Sequence, residues 1–126
     1  MHAQSLFFNA RNYLTIPRGS VIYAEGEPGN HMYGIVDGAV DLQKGGVTVA
    51  RLGTDDVFGE RALIDHQPRN LTAVASENTV LAEIDRYLFL FLVDMAPTFA
   101  LDIMSALAER LRRYDDLFGE LPLALR

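Results

Sequence analysis

The sequence predicts a mainly β protein in which a compact antiparallel β sandwich or β roll is followed by two α-helices. Two observations carry this prediction. Between residues 12 and 84, short apolar or alternating runs are separated by turn-forming glycine, proline, asparagine and aspartate, which is typical of compact antiparallel sheets. After residue 85 the apolar residues change to a three- and four-residue spacing, which is typical of helices.

Six strands are predicted within the roll. Each is a run of β-branched, aromatic or alternating apolar residues bounded by turn signals such as Gly26-Glu27-Pro28-Gly29-Asn30 and Asp37-Gly38. The glycines at these turns are interpreted as purely structural, because glycine permits sharp strand reversals. The six runs are Val21–Tyr23, Met32–Val36, Ala39–Leu42, Val47–Leu52, Leu71–Val74 and Val80–Ile84.

Two helices complete the predicted fold. Asp85 suits the N-cap of a first helix beginning at Arg86, and Pro97 suits the first turn of a second. The second helix, from about residue 98 to 118, would be roughly 30 Å long at about 1.5 Å per residue. Its apolar residues either pack on the chain's own roll or form a helix-to-helix seam with a second copy, and we expect a homodimer. They form one stripe made of Met104, Leu107, Leu111, Tyr114 and Phe118, flanked by Ile103 and Ala108.

Composition favours one folded domain over residues 1–126, with the roll at about 12–84 and the helices at about 85–118. With 126 residues, 49% of them hydrophobic, the chain can bury a core without metal or disulfide staples, and it has no cysteine. The N-terminus lacks the basic leader and apolar core of a signal peptide, and the most apolar run, Tyr87–Val93, is too short to span a bilayer. We therefore expect a soluble, cytoplasmic protein without membrane contact.

Charge and histidine content argue against two classes of function. The formal net charge of −6 is opposite in sign to that of proteins that neutralise nucleic-acid phosphates, so no direct nucleic-acid binding is expected. The three histidines form no close pair that could hold a metal, and no nucleophile stands with a base. The sequence therefore predicts no metal site, no catalytic residues and no enzyme.

The most informative segment runs from Phe58 to Ile64 and continues over Pro68–Val74. Gly59 permits a close backbone approach, and the residues after it can form one short helical turn. Arg69 offers an always-charged planar fork of N–H donors that can meet two phosphate oxygens, whereas the Glu60 carboxylate readily accepts a hydrogen bond from a hydroxyl. The alternative interpretation is a surface ion pair between Glu60 and Arg69, worth about 0–1 kcal/mol.

This segment resembles the phosphate-binding cassette of the cyclic nucleotide-binding domain family, which includes catabolite activator protein-like and protein kinase A regulatory subunit-like β-roll domains. The resemblance rests on Phe58-Gly59-Glu60 with Ala62-Leu63, followed by Pro68-Arg69, and extends over about residues 12–117. It implies an antiparallel double-stranded β-helix, a jelly-roll-like β roll, followed by two α-helices. It also implies a ligand, cAMP or cGMP with cAMP favoured, and no cofactor. Glu60 is expected on the ribose 2′-hydroxyl and Arg69 on the phosphate, while Ala62 and Asn70 contribute mainly backbone amides. The implied ligand-binding residues are Gly59, Glu60, Ala62, Arg69 and Asn70.

Four residues depart from the family pattern. Leu71 either occupies ligand space or turns into the hydrophobic interior, because side chains alternate along a strand. Two functions therefore stay open: a cyclic nucleotide sensor, or a degenerate member that no longer binds nucleotide and serves as a dimerisation or protein-interaction module. The four departures are Arg61 for an aliphatic residue, His66 for a glycine, Asn70 for Ala, Ser or Thr, and Leu71 for a small residue.

As a sensor, the chain is expected to signal through its C-terminal helices to a dimer partner or to an unidentified protein effector. Ligand shifts such an equilibrium only by its difference in affinity for the two helix arrangements. The output is expected in a separate protein, unless the sequence belongs to a longer chain. In the family the last helix often covers the purine, but the sequence does not show which helical face does so. Arg110, Arg113 and Tyr114 therefore stay outside the predicted site.

Overall fold

The computed structural model describes residues 12–118, and the side chains of residues 13–113. The helices in this range are α1 (Arg61–Ile64), α2 (Arg86–Met95) and α3 (Thr98–Phe118). The strands are β1 (Asn12–Ile16), β2 (Val21–Tyr23), β3 (His31–Asp37), β4 (Val40–Lys44), β5 (Val47–Leu52), β6 (Val57–Phe58), β7 (Thr72–Ala75) and β8 (Thr79–Asp85).

The strands form two four-stranded antiparallel sheets. Their strand orders are β1-β8-β3-β6 and β2-β7-β4-β5, so that neighbours in space are mostly distant in sequence. In the first sheet β8 lies between β1 and β3, with Glu83 opposite both Asn12 and Tyr33. An antiparallel roll followed by helices is the predicted fold class, which is confirmed.

The first sheet is buried on both faces, because the second sheet covers one face and the helices cover the other. Adjacent residues of β3 show the alternation. Met32 packs with Leu88 and Ile103 from the helices, whereas Tyr33 and Ile35 pack in the interior of the roll. The segment between β6 and β7 passes from the first sheet to the second, so the predicted cassette lies where the two sheets meet.

Two strands were not predicted. β1 pairs along its length with β8, and β6 contributes only Val57 and Phe58 opposite Gly34 and Tyr33. β6, with two residues, is too short to show the alternation of a strand. In the sequence no turn signal ahead of β1 sets it apart as a strand. The six predicted strands are all present; two have the predicted ends, and the ends of the other four differ by one or two residues.

The predicted helix boundary at Asp85 is confirmed. Asp85 has extended backbone angles, and its Oδ1 accepts a hydrogen bond from the backbone N–H of Leu88 at 2.7 Å. This contact satisfies one of the N–H groups that lack a partner inside the helix. The carbonyl of Pro97 accepts from the N–H of Ala100 at 3.2 Å, which places Pro97 at the start of α3.

Removing this cap is expected to destabilise the fold. We expect Asp85→Ala to lower the free energy of unfolding by about 1 kcal/mol, because the Leu88 N–H loses its acceptor. Urea denaturation measures the change. Asp94→Ala is the matched control, since Asp94 is an exposed aspartate near the other end of α2. Equal stabilities of the two variants would contradict a capping role for Asp85.

The predicted single apolar stripe on α3 is wrong, because the structure divides it between two faces of the helix. Ile103 and Leu107 pack with Phe99 against the core. Met104 and Leu111 instead face outward, each 62% exposed. They share an outer face with Leu101 and Ala108, at successive spacings of three, four and three residues. Tyr114 and Phe118, also in the predicted stripe, have side chains outside the described residues.

No single helix in the described range is both long and apolar enough to cross a membrane. Within this range, α2 and residues 98–113 of α3 reach the length and apolar composition of a membrane span only when they are taken together, and the pair is bent by 117° at the break between them.

Candidate functional site

A cavity of about 200 Å³ lies at the meeting of the two sheets, between the cassette, β2, β4 and α3. Leu42 of β4 and Tyr23 of β2 form part of its wall. The structure brings all five predicted site residues to this cavity, namely Gly59, Glu60, Ala62, Arg69 and Asn70.

Gly59 makes the turn that leads into the cassette. Its φ of +77° is in the left-handed region that favours glycine, and a Cβ there would lie 2.8 Å from Nη1 of Arg69. Glu60 then adopts helical angles as the N-cap residue of α1, without a capping hydrogen bond from its side chain. Glu60 therefore lines the cavity with a carboxylate that is not used to cap the helix.

The backbone amides expected from Ala62 and Asn70 are arranged differently. The N–H of Ala62 donates to the carbonyl of Gly59 at 3.3 Å, so it closes the turn. Asn70 is exposed at the cavity, and its carbonyl accepts a hydrogen bond from Lys44 Nζ at 3.3 Å. In this arrangement the amide of Ala62 already has an acceptor within the cassette.

Arg69 is held by its backbone and by its side chain. Its N–H donates to Glu27 and its carbonyl accepts from Gly26, at 2.8 and 2.7 Å. The side chain is only 7% exposed; Nη1 donates to the Gly59 carbonyl at 2.9 Å, and Nη2 donates to the His31 carbonyl at 2.8 Å. The guanidinium thus joins the first residue of β3 to the cassette.

The partners of this buried cation are all neutral. Its Cζ lies 4.1 Å from the centre of the Tyr23 ring, and its Nε is buried without a hydrogen-bond partner. None of the ion pairs found between described residues joins Arg69 to Glu60 or to another carboxylate. The surface ion pair considered from the sequence is therefore wrong. A buried charge without a counter-ion is costly, so this cavity is suited to an anion.

Tyr23 belongs to an aromatic cluster beneath the arginine. Its ring centre lies 6.2 Å from that of Tyr33 and 6.0 Å from that of Phe58, and the Tyr33 and Phe58 rings stack at 5.3 Å. Burial raises the pKa of Tyr23 to about 12, although the positive charge of Arg69 opposes the increase. Burial also raises the pKa of Tyr33. Both rings are therefore neutral at pH 7.

The raised pKa predicts a loss of stability in alkali. The unfolded tyrosine releases its proton near pH 10 and the folded Tyr23 near pH 12, so the folded state holds more protons between these values and stability falls as the pH rises. We expect a loss of about 2–3 kcal/mol across this window. Denaturation of Tyr23→Phe should show a smaller loss, whereas Tyr87→Phe, at an exposed position, should match the wild type. Equal losses in all three proteins would contradict the prediction.

The departures from the family pattern have separate structural outcomes. Arg61 is exposed and pairs with Asp65 at 3.3 Å, one helical turn further on. Hydrogen bonding from the backbone N–H of Gln67, and then from Arg61, holds the pKa of Asp65 below its ordinary value. His66 has a φ of +55°, which explains why a glycine suits this position. Leu71 packs against the interior of the roll and also borders the cavity, so the alternative that it turns into the interior holds in part.

Among the cavity residues outside the predicted site are Tyr23 and Arg110. Tyr23 was assigned only to a strand, and Arg110 was left outside the site. Arg110 of α3 lies on the cavity wall, and its Nη2 donates a hydrogen bond to the Val57 carbonyl. Arg110 follows Phe99, Ile103 and Leu107 at helical spacing, but the sequence does not show that this is the face turned to the roll. Arg113 instead approaches Asp56 at 3.8 Å, and the side chain of Tyr114 lies outside the described residues.

In the part of the chain with described side chains, no three His, Asp or Glu residues are grouped so that they could hold a metal ion. The charged side chains at the cavity are the guanidiniums of Arg61, Arg69 and Arg110 and the carboxylate of Glu60.

An antiparallel β roll whose two sheets enclose an arginine-lined cavity, with helices after it, defines a class of small-anion-binding β-roll domain. The family model for the cyclic nucleotide-binding domain matches residues 13–95. This chain belongs to the cyclic nucleotide-binding domain family.

Known proteins of this family resemble the chain over most of its length. It is 36% identical over 114 residues to the cyclic AMP receptor protein of Thermus thermophilus, covering 86% of this chain and 51% of that protein. It is 32% identical over 105 residues to a cAMP-dependent protein kinase regulatory subunit of Yarrowia lipolytica, covering 83% and 25%. The crystal structure of the Thermus thermophilus catabolite activator protein superposes with a TM-score of 0.74 at 31% identity, covering 94% and 58%. The chain thus spans about half the length of the first of these curated relatives and a quarter of the second.

Proposed function

We propose that this chain is a cyclic nucleotide sensor that binds cAMP in preference to cGMP in the cavity between cassette and α3. The observation that carries the proposal is the buried guanidinium of Arg69, whose partners are two carbonyls and a tyrosine ring. A cyclic phosphodiester carries one negative charge, which would supply the missing counter-ion. Its oxygens could also accept from Nε, which is buried without a partner.

The other cavity residues would hold the sugar and the base. The Glu60 carboxylate is unsuited to a phosphate because like charges repel, but it can accept a hydrogen bond from the ribose 2′-hydroxyl. Gly59 would let the sugar approach the backbone. Asn70 is exposed at the cavity, and an asparagine amide can pair with the N6 and N7 edge of adenine. The two curated relatives described above are named for cAMP, which also supports this choice of base.

Signalling would pass through α3, which touches the cavity and also presents an apolar outer face. Arg110 connects the cavity wall to β6 through the Val57 carbonyl. Leu101, Met104 and Leu111 are each more than 60% exposed, at 64%, 62% and 62%. Their spacing matches a helix-to-helix seam, so we infer that two copies pair along α3 and that ligand changes the position of this helix.

The remaining expectations stay predictions. They comprise a single domain over residues 1–126, a regulatory rather than catalytic role, a separate protein effector, a cytoplasmic location and no direct contact with nucleic acid. A second candidate function, the degenerate interaction module, is favoured by Leu71, whose branched side chain borders the cavity.

Isothermal titration calorimetry of cAMP and cGMP into protein stripped of nucleotide separates the two functions. A sensor should give saturable binding, tighter for cAMP. Ligand at about 100 times its dissociation constant should also stabilise the fold by about 2.7 kcal/mol. Absence of heat with both nucleotides, together with unchanged melting temperatures, would reject the sensor and support the interaction module.

A further inference from the structure

The guanidinium of Arg69 lies in a narrow slot. The guanidinium slot consists of Tyr23, Gly29 and the carbonyls of His31 and Gly59. The Tyr23 ring lies 4.1 Å from Cζ, and the two carbonyls accept from Nη2 and Nη1. At Gly29 a Cβ would lie 2.5 Å from Nε, 2.5 Å from Nη2 and 2.6 Å from Cζ. No side chain fits at Gly29 while the guanidinium keeps this position.

Gly29 is not explained by backbone conformation. It is absent from the glycines with positive φ, so its φ does not require a glycine. Gly26, three residues earlier, has a φ of +88° and open space around its missing Cβ, which is the expected pattern of a turn glycine. The strand-reversal role that the sequence suggested for Gly29 therefore does not explain why this position is a glycine. The space that a side chain would need is occupied by Arg69.

We propose that Gly29 and Tyr23 are positioning residues for anion recognition by Arg69. The tyrosine ring sets the plane of the guanidinium, and the two carbonyls set its direction within that plane. Gly29 leaves room for this one orientation. The remaining N–H groups then meet the ligand without further ordering of a long, flexible side chain, which would otherwise reduce affinity. This inference rests on the proposed function, because it concerns the same cavity.

The steric conflict at Gly29 makes a test possible that separates binding from folding. All three atoms that a Cβ would approach belong to the end of a flexible side chain, and none belongs to the backbone. The Gly29→Ala chain can therefore fold if the guanidinium moves away. Moving it breaks the hydrogen bonds to the carbonyls and misplaces the cation that the phosphate needs.

The first experiment compares cAMP affinity in Gly29→Ala and Gly53→Ala by calorimetry. Gly53 is the matched control, because it also lacks a positive φ and a Cβ there would meet nothing within 4 Å. We expect Gly29→Ala to bind about 10- to 100-fold more weakly, the order expected for losing hydrogen bonds to a charged group. Gly53→Ala should bind as the wild type does. Affinities of the two variants within about twofold, the scatter of additive changes, would overturn the proposal.

Tyr23 is tested with a conservative and a disruptive change. Tyr23→Phe keeps the ring and should retain cAMP affinity, whereas Tyr23→Leu removes the ring face and should lose it. Equal affinities of these two variants would overturn the role of the ring. If Gly29→Ala does not fold, the two Tyr23 variants still test whether the tyrosine ring positions Arg69.

A thermal double-mutant cycle tests the slot without any ligand. Gly29→Ala should lower the melting temperature of the wild type, but should have no effect in an Arg69→Ala background, where the obstructing guanidinium is gone. Equal effects in the two backgrounds, including none in either, would overturn the slot. If the wild type binds neither cAMP nor cGMP, the proposed function fails, and this cycle still decides whether Gly29 and Arg69 share the space.

Discussion

Replacing Arg69 by lysine is expected to weaken cAMP binding by about 100-fold. Lysine keeps the charge but has neither the planar fork that meets two oxygens nor the flat face that lies on Tyr23. Losing one partner of a buried, hydrogen-bonded charge pair costs about 2–5 kcal/mol, and about 1.4 kcal/mol corresponds to a tenfold change in affinity. The carbonyls of Gly59 and His31 would also lose their donors.

The measurement is a calorimetric titration of both nucleotides into the wild type and the variant. Arg61→Lys is the matched control, because Arg61 belongs to the same cassette and also lines the cavity, but is exposed and paired with Asp65. Its affinity should change little. If Arg69→Lys and Arg61→Lys were weakened equally, the phosphate would not be held specifically by Arg69. A folded Arg69→Lys protein with wild-type affinity would remove the main support for the proposed site.

Placing charges on the outer face of α3 is expected to convert a homodimer into a monomer. Met104 and Leu111 are exposed in the isolated chain and lie on one face at a seam-like spacing. With both replaced by glutamate, association would bury four unpaired carboxylates, and each such burial is strongly unfavourable. Sedimentation velocity should give twice the chain mass of 14.0 kDa for the wild type and 14.0 kDa for the variant.

The control for this experiment places the same number of charges on another helix. Tyr87 and Met95 of α2 are also exposed, at 73% and 63%, and Tyr87→Glu with Met95→Glu should remain dimeric if α3 forms the seam. A wild type that stays monomeric with and without cAMP would contradict the proposed pairing. Dissociation of the α2 variant instead would place the interface on α2.

Most of the fold could be predicted from local sequence patterns, which are visible without knowing what each segment packs against. Turn signals separated the strands, alternation marked their two faces, and Asp85 marked the start of α2 through its own side chain. β6 could not be found in this way, because two residues contain no period and the strand exists only through its pairing with β3. The stripe on α3 failed for a related reason: the helical period shows which residues share a side, but not which of them the roll covers.

The candidate site was found only in part. Glu60 and Arg69 were found because both lie in one short segment, where their side-chain chemistry and their order along the chain are visible. Tyr23 and Arg110 belong to a strand and a helix far away in sequence, and reach the cavity only because the two sheets close and α3 folds back over β6. The burial of Arg69 among neutral partners also depends on this closure, and it replaced the surface ion pair that the sequence allowed.

The sequence by itself therefore determined the family, the order of six of the eight strands and of the helices, and the two side chains suited to a cyclic phosphate, since each depends on residues that are neighbours along the chain. Only the tertiary structure decided that Gly29 leaves space for Arg69 rather than providing a special backbone conformation. It also decided which face of α3 stays uncovered and how Arg69 is oriented. These outcomes depend on contacts between segments separated by tens of residues. Such contacts are set by the packing of the sheets and helices on one another, which no local pattern records.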